Sequence, residues 1–140
     1  MTKLYLITGF LGAGKTTFLH QFVRLFPDRR TAIVVNEFGK QGVDGTLLED
    51  LDIKMEEINN GSIFCACKIE QFEDALLRLQ QENFDVIFVE ASGLSDPTAV
   101  GTILRQRDKF PDLEYAGAIC LVDGARFMTV YKTARVCRMQ

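Results

Sequence analysis

Long hydrophobic runs are absent from this chain of 140 residues. The first apolar run, residues 4–7, is too short for a signal-peptide core or a membrane span. The sequence also lacks internal repeats, low-complexity stretches and linkers rich in proline, glycine or serine, so no feature divides it into parts. We therefore expect a single domain over residues 1–140, located in the cytoplasm and without a membrane partner.

A block of positive charge is absent as well. The formal net charge is −3, and acidic and basic residues are interspersed along the chain. Proteins that bind the backbone of nucleic acids use a basic field that this composition does not provide, so no nucleic-acid partner is expected. Histidine occurs once, as His20, and the helical wheel places it away from the neighbouring apolar face. We expect its side chain to be exposed and without a functional role.

Cysteine is scarce, and its four positions are 65, 67, 120 and 137. In a reducing compartment such a set favours metal ligands, redox groups or buried small residues over a disulfide framework. Cys65 and Cys67 could together ligate one soft metal, Zn²⁺ or another transition metal, but a closed tetrahedral site needs two further ligands and none is evident. Two interpretations stay open: a metal site, which a second chain could complete in a homodimer, and a pair of structural or redox cysteines.

The apolar residues, 47% of the chain, are enough for a continuous core. Continuously apolar runs predict strands that are buried on both faces. Four such runs occur, at residues 4–7, 32–35, 86–89 and 116–122.

Amphipathic helical patterns lie between these runs. They predict a helix that carries Phe18, Phe22 and Phe26 and stops at Pro27, a second over residues 69–82, and a third that starts at Asp96 and Pro97. This alternation predicts an α/β fold, a mainly parallel sheet with helices on both faces. Residues 54–64 break the rhythm, and the turn signal Asn59-Asn60-Gly61 predicts a small β-hairpin there.

The strongest motif is GFLGAGKT at residues 9–16, which matches the phosphate-binding pattern G-x-x-x-x-G-K-[ST] directly after a strand and before a helix. Glycines let consecutive N–H groups point at the phosphates, and the helix adds its positive end. Lys15 supplies charge to the β and γ phosphates, and Thr16 a hydroxyl ligand for Mg²⁺. The alternative is a glycine-rich turn that matches by chance. The predicted nucleotide ligands in this loop are Gly9, Gly12, Ala13, Gly14, Lys15, Thr16 and Thr17.

Polar residues follow each of the other strands, at the edge where open α/β sheets bind ligands. Glu90 is placed to hold Mg²⁺ or to orient the attacking water, and we expect it to act in catalysis with Lys15; a surface glutamate is the alternative. The pair Ser92-Gly93 indicates a flexible loop that could act as a switch near the γ-phosphate. Glu37, after the second strand, either faces the same cleft or belongs to an ordinary polar loop.

Taken together, GFLGAGKTT at 9–17, NEFG at 36–39, NG at 60–61 and EASGLSDP at 90–97 resemble the CobW-like GTPases. These are relatives of the nickel-enzyme maturation GTPases of urease and hydrogenase. The resemblance runs from about residue 4 to residue 123. It implies a P-loop NTPase fold, with Glu90 in place of the usual Asp, and a weak GTPase that acts as a switch for delivery of a metal or metallocofactor to a client protein.

The sequence departs from the family pattern at two places. Family members commonly have the sequence ENEFGE at positions 35–40, whereas this chain has Val35 and Lys40 in place of the first and last glutamate. They also commonly have NGCxCC after the turn, and of its three cysteines this chain matches only one, with Cys65. The guanine-reading Asn/Thr-Lys-x-Asp loop and the C-terminal domain of the family are not part of this sequence. We therefore expect a truncated GTPase domain, with guanine preference implied by the resemblance.

The leading hypothesis is a GTP-hydrolysing switch that assists insertion of a metal or metallocofactor into a partner protein. One alternative is a nucleotide-gated regulatory module, for example for a corrinoid protein, with little turnover and no metal delivery. A small-molecule kinase would use the same P-loop, but the sequence has no evident acceptor site or arginine-rich lid.

Overall fold

The computed structural model of the chain describes residues 1–36, 53–58, 66–93, 97–135 and 138. Strands and helices alternate along these residues, as the sequence predicts. In chain order they are β1 (Thr2–Thr8), α1 (Lys15–Val23), β2 (Thr31–Asn36), β3 (Ile53–Ile58), α2 (Ala66–Gln80), β4 (Val86–Glu90), α3 (Pro97–Leu104), β5 (Leu113–Cys120) and α4 (Phe127–Thr133).

The five strands form one sheet in the order β3-β2-β4-β1-β5, and every neighbouring pair is parallel. The carboxyl ends of all the strands therefore lie at the same edge of the sheet. β1 lies between β4 and β5, so the loop that follows β1 has the ends of both neighbours beside it. This confirms the predicted fold class, a parallel α/β sheet.

Helices cover both faces of the sheet, and this explains why the hydrophobicity of β2 is continuous. Ala32 and Val34 pack on one face with α2 and α3, whereas Ile33 and Val35 pack on the other face with α1. Because both faces of this inner strand are buried, its residues 32–35 are all apolar.

The segment predicted as a small hairpin is described only in its first half. Its first half is the edge strand β3, which runs parallel to β2 with Ile53 opposite Thr31 and Ile58 opposite Asn36. Residues 59–65, which would form the turn and the second arm, lie outside the described residues. β3 is therefore a strand of the main sheet, and the second arm of the predicted hairpin stays a prediction.

β5 is also a correction, because it was expected to be buried on both faces. It begins at Leu113 and alternates in exposure, with Ala116, Ala118 and Cys120 exposed. The alternation follows from its place at the edge of the described sheet, where it pairs only with β1 among the described strands. The register against β1 shifts at Ala116, and Gly117 adopts a positive φ of 140° there.

The helices differ from prediction by a few residues. α1 ends at Val23 rather than at Pro27, because the N–H groups of Leu25 and Phe26 donate to carbonyls three residues back instead of four. α2 begins at Ala66, three residues earlier than predicted. His20 is half-buried rather than exposed, and its Nε2 has no hydrogen-bond partner among the described residues. No helix in the described ranges is long and apolar enough to cross a membrane.

Candidate phosphate site

The loop between β1 and α1 curls back on itself through three glycines with positive φ. The φ angles of Gly9, Gly12 and Gly14 are 138°, 78° and 88°, a region that residues with a Cβ rarely adopt. The N–H of Ala13 donates to the carbonyl of Phe10, which closes a tight turn inside the loop. α1 starts directly after Gly14, so its free N–H groups face the space that the loop encloses.

Close packing against β5 adds a second reason for glycine at position 9. A Cβ on Gly9 would lie 2.4 Å from the carbonyl oxygen of Leu121, a contact that real side chains do not make. The N–H of Leu121 in turn donates to the carbonyl of Thr8 at 2.9 Å. The end of β1 is thus fixed in place where the loop begins.

Lys15 is folded into this loop. Its side chain is only 7% exposed, and its Nζ donates to the carbonyl of Gly9 at 2.9 Å. Burial lowers the pKa of Lys15, while the negative charge of Glu90 and, more weakly, that of Cys120 act in the opposite direction. The amine therefore lies inside the phosphate cradle, held by a carbonyl that a phosphate oxygen could replace.

Thr16 and Glu90 meet across the sheet. The hydroxyl of Thr16 donates to Oε1 of Glu90 at 3.1 Å, although the residues are 74 positions apart in the sequence. Glu90 is buried, with 6% of its surface exposed, because it ends β4 directly beside β1. Glu90 is therefore not a surface glutamate: its carboxylate lies deep in the cleft next to the hydroxyl that begins α1.

Gly93 closes over the P-loop from the β4 side. A Cβ on this residue would lie 2.5 Å from the backbone nitrogen of Leu11 and 3.0 Å from Nζ of Lys15. Only a residue without a side chain allows this approach, so the glycine is explained by contact rather than by a positive φ. The loop after β4 thus packs directly against the P-loop.

The remaining predicted ligands fall into two groups. Ala13 and Ser92 are half-buried at the cleft, and Thr17 is exposed in the first turn of α1. Glu37 and Cys65 lie outside the described residues, so their predicted roles stay predictions.

Cys67 lies inside the second helix, although the helix was predicted to begin only at residue 69. Its backbone is helical, since α2 begins at Ala66. Its side chain is not among those described. In the described part of the chain, no group of three or more His, Cys, Asp or Glu side chains is arranged to hold a metal ion.

One charged pair beside the P-loop was not predicted as a pair. Asp123, three residues after the end of β5, accepts a hydrogen bond from Nε of Arg126 at 2.7 Å. This contact lowers the pKa of the Asp123 carboxyl. The guanidinium reaches the P-loop, because Nη2 would be 3.4 Å from a Cβ on Gly12. An arginine three residues after a strand-ending aspartate was the signal available in the sequence.

Two cavities open on the described surface. The larger, of about 610 Å³, is lined by residues at the amino ends of β1 and β4 and by Tyr5, Phe22 and Phe88. The smaller, of about 320 Å³, lies between the P-loop and α4, with Phe10, Asp123 and Arg126 in its wall. We assign the chemistry to the carboxyl edge of the sheet, since the glycine loop, Lys15 and Glu90 all lie there.

Comparison with known proteins agrees with this geometry. A family described as "CobW/HypB/UreG, nucleotide-binding domain" matches residues 3–139. The zinc chaperone YeiR of Escherichia coli is 35% identical over 124 residues, which are 88% of this chain and 38% of that protein. The zinc chaperone YjiA of the same organism is 38% identical over 98 residues, 66% of this chain and 30% of that protein. This chain therefore spans less than half of the length of these relatives.

The fold is similar to that of a solved structure. The zinc-bound YjiA GTPase from E. coli superimposes with a TM-score of 0.65 at 24% sequence identity, covering 98% of this chain and 45% of that one. At this identity the likeness shows a shared fold.

Proposed function

We propose that this chain, which belongs to the CobW/HypB/UreG family of nucleotide-binding domains, binds GTP with Mg²⁺ and hydrolyses it slowly as a switch for metal delivery. The observation that carries the nucleotide part is the hydrogen bond between Thr16 and Glu90 at the mouth of the glycine loop. A glycine-rich turn that matched the motif by chance would have no reason to bring a buried carboxylate to that hydroxyl.

The residues present fit Mg²⁺. This ion prefers hard oxygen ligands and keeps several waters, and the cleft offers one hydroxyl, of Thr16, and one carboxylate, of Glu90. Thr16 would hold the ion directly and Glu90 directly or through water. When bound, Mg²⁺ neutralises charge on the β and γ phosphate oxygens.

Lys15 and Glu90 have separate tasks in this proposal. Lys15 exchanges its bond to the Gly9 carbonyl for a phosphate oxygen, so its buried charge is compensated in the bound state. Glu90 orients the attacking water in the dry cleft beside the γ-phosphate. Hydrolysis of the terminal phosphate releases the loop at Gly93, which contacts Leu11 and Lys15. Glu37 and Ser92 are proposed as further contacts to the nucleotide.

The metal is the cargo of this switch. Both named relatives are described as zinc chaperones, and YjiA is described as a zinc-bound GTPase. This favours metal delivery over the alternative of a regulatory module with little turnover. We propose Zn²⁺ as the first candidate, with Cys65 and Cys67 as ligands, a client metalloprotein as the partner, and the cytoplasm as the location.

The test is phosphate release by the full-length protein, with GTP and with ATP, in the presence and absence of Mg²⁺. We expect slow release that requires Mg²⁺ and prefers GTP. Stimulation by Zn²⁺ or by a candidate client protein would support the delivery role. Tight GTP binding without phosphate release under any of these conditions would favour the regulatory module instead.

A further inference from the structure

Arg126 is a basic residue whose guanidinium lies beside the P-loop at Gly12. It begins at the turn between β5 and α4, beside Asp123. That turn is anchored: Oδ1 of Asp123 accepts hydrogen bonds from the N–H groups of Ala125 and Arg126, at 3.1 and 3.3 Å. The carbonyl of Asp123 accepts from the N–H of Phe127 at 2.8 Å. These hydrogen bonds therefore fix the backbone of Arg126.

The guanidinium is directed as well as anchored. Oδ2 of Asp123 binds Nε at 2.7 Å, which uses the donor nearest the chain. Nη2 extends to the P-loop, 3.4 Å from the position of a Cβ on Gly12. The side chain is still 68% exposed, so its charge is hydrated and available to an incoming anion.

The order of the strands decides which phosphates this charge can reach. The γ-phosphate side of the cleft lies toward β4, which brings Glu90 to Thr16 and Gly93 to Lys15. Arg126 comes from β5, on the opposite side of β1. The backbone of a P-loop cradles the α and β phosphates, while its lysine reaches the β and γ phosphates.

We propose that Arg126 is a second cationic phosphate ligand, which binds the α and β phosphates of the nucleotide from the β5 side while Asp123 positions it. The proposal rests on the proposed function, because it needs a nucleotide in the P-loop. It predicts that the arginine binds GDP and GTP equally, since both carry those two phosphates. A charge acting on the γ-phosphate would distinguish the two nucleotides.

The test is titration of GDP and GTP into the full-length protein and into Arg126→Gln. We expect the variant to raise both dissociation constants by a similar factor of about ten, the effect of losing a charge-assisted contact. The salt dependence of GDP affinity should become less steep, because one fewer cation meets the phosphates. Arg126→Lys should recover part of the loss, since it keeps the charge without the planar fork. Asp123→Asn should give a smaller loss. Arg107→Ala, an exposed arginine at the other end of the sheet, is the control.

Three outcomes would overturn the proposal. In the first, Arg126→Gln binds both nucleotides within twofold of the parent while Lys15→Ala does not bind; this leaves the proposed function intact. In the second, only GTP affinity falls, which would put the arginine on the γ-phosphate. In the third, the parent itself binds no nucleotide, which would remove the proposed function too. If Arg126→Gln lowers the melting temperature, the affinity of Arg126→Lys becomes the deciding measurement. The proposal is contradicted if Arg126→Lys keeps the parent's melting temperature but its nucleotide affinity does not lie between those of the parent and Arg126→Gln.

Discussion

The hydroxyl of Thr16 and the carboxylate of Glu90 share a hydrogen bond of 3.1 Å between the first turn of α1 and the end of β4. This pairing gives Glu90 a role that can be separated from binding. Replacing it by Gln keeps the shape and the hydrogen bond but removes charge that matters mainly in the transition state. We expect Glu90→Gln to change GTP affinity by no more than about tenfold and to lower hydrolysis by roughly 10² or more. Single-turnover phosphate release and a binding titration measure the two; equal losses in both would indicate a purely structural residue.

Gly93 offers a test of the contact between the β4 loop and the P-loop. A methyl group there would collide with the backbone of Leu11, so Gly93→Ala must displace one loop or the other. We expect GTP hydrolysis to fall by about tenfold or more, because catalytic groups tolerate little misplacement. The matched control is Gly101→Ala in α3, since a Cβ on Gly101 would meet only ordinary contacts at 3.8 Å and beyond. Wild-type hydrolysis by both variants would mean that the loops do not need this contact.

For the core under α2, we expect substitutions to change the stability of the fold rather than the activity. Leu76 is fully buried against the sheet, whereas Leu25, after α1, is 68% exposed. Leu76→Ala should lower the free energy of unfolding by about 2–5 kcal/mol, because it removes buried surface and leaves a cavity. Leu25→Ala should change it by no more than about 0.5 kcal/mol. Urea denaturation followed by circular dichroism measures both, and equal effects would contradict the burial assigned to α2.

Zinc binding by Cys65 and Cys67 is a separate prediction, because the fold does not decide it. We expect the full-length protein to bind Zn²⁺ at about one per one or two chains, since two thiolates leave the coordination incomplete. Cysteine thiols must lose their protons to bind zinc, so zinc affinity should fall as the pH is lowered.

The double variant Cys65→Ala with Cys67→Ala should lose zinc while GTP binding in metal-free buffer stays unchanged. Cys120→Ala, a single cysteine at the end of β5, is the control for zinc. Retention of zinc by the double variant would show that this pair is not the site. If the parent protein itself binds no zinc, this chain would belong to a branch of the family that has lost the metal site. Val35 and Lys40, at positions that are commonly acidic in the family, agree with that outcome.

The sequence predicted the parts of the molecule where local pattern and tertiary position agree. β2 and β4 are buried between two layers, so continuous hydrophobicity identified them, and the motif at 9–16 carries its own turn chemistry. β3 was predicted as one arm of a hairpin, but its place in the main sheet was not, because it lies at the edge of the described sheet and carries charge. Its Lys54 pairs with Glu82, and its Glu56 pairs with Arg78, 3.4 Å away in α2. Such pairs form only after folding, so the sequence alone does not show that this charged strand joins the sheet.

The same limit applies to the site. Glu90 was found because it follows an apolar run, but its burial and its bond to Thr16 depend on β4 lying next to β1. The position of Arg126 over Gly12 depends on β5 lying on the other side of β1. A linear pattern identifies the polar residues at the ends of strands, and only the strand order shows which of them meet.

The central claim is that the loop at residues 9–16 binds a nucleoside triphosphate through the charge of Lys15. The most direct measurement is a calorimetric titration of GTP with Mg²⁺ into the full-length protein, into Lys15→Ala, and into Lys3→Ala, an exposed lysine on β1. We predict tight binding by the parent and by Lys3→Ala, and loss of tight binding by Lys15→Ala with an unchanged circular dichroism spectrum. Unchanged GTP affinity in a folded Lys15→Ala variant would contradict the account.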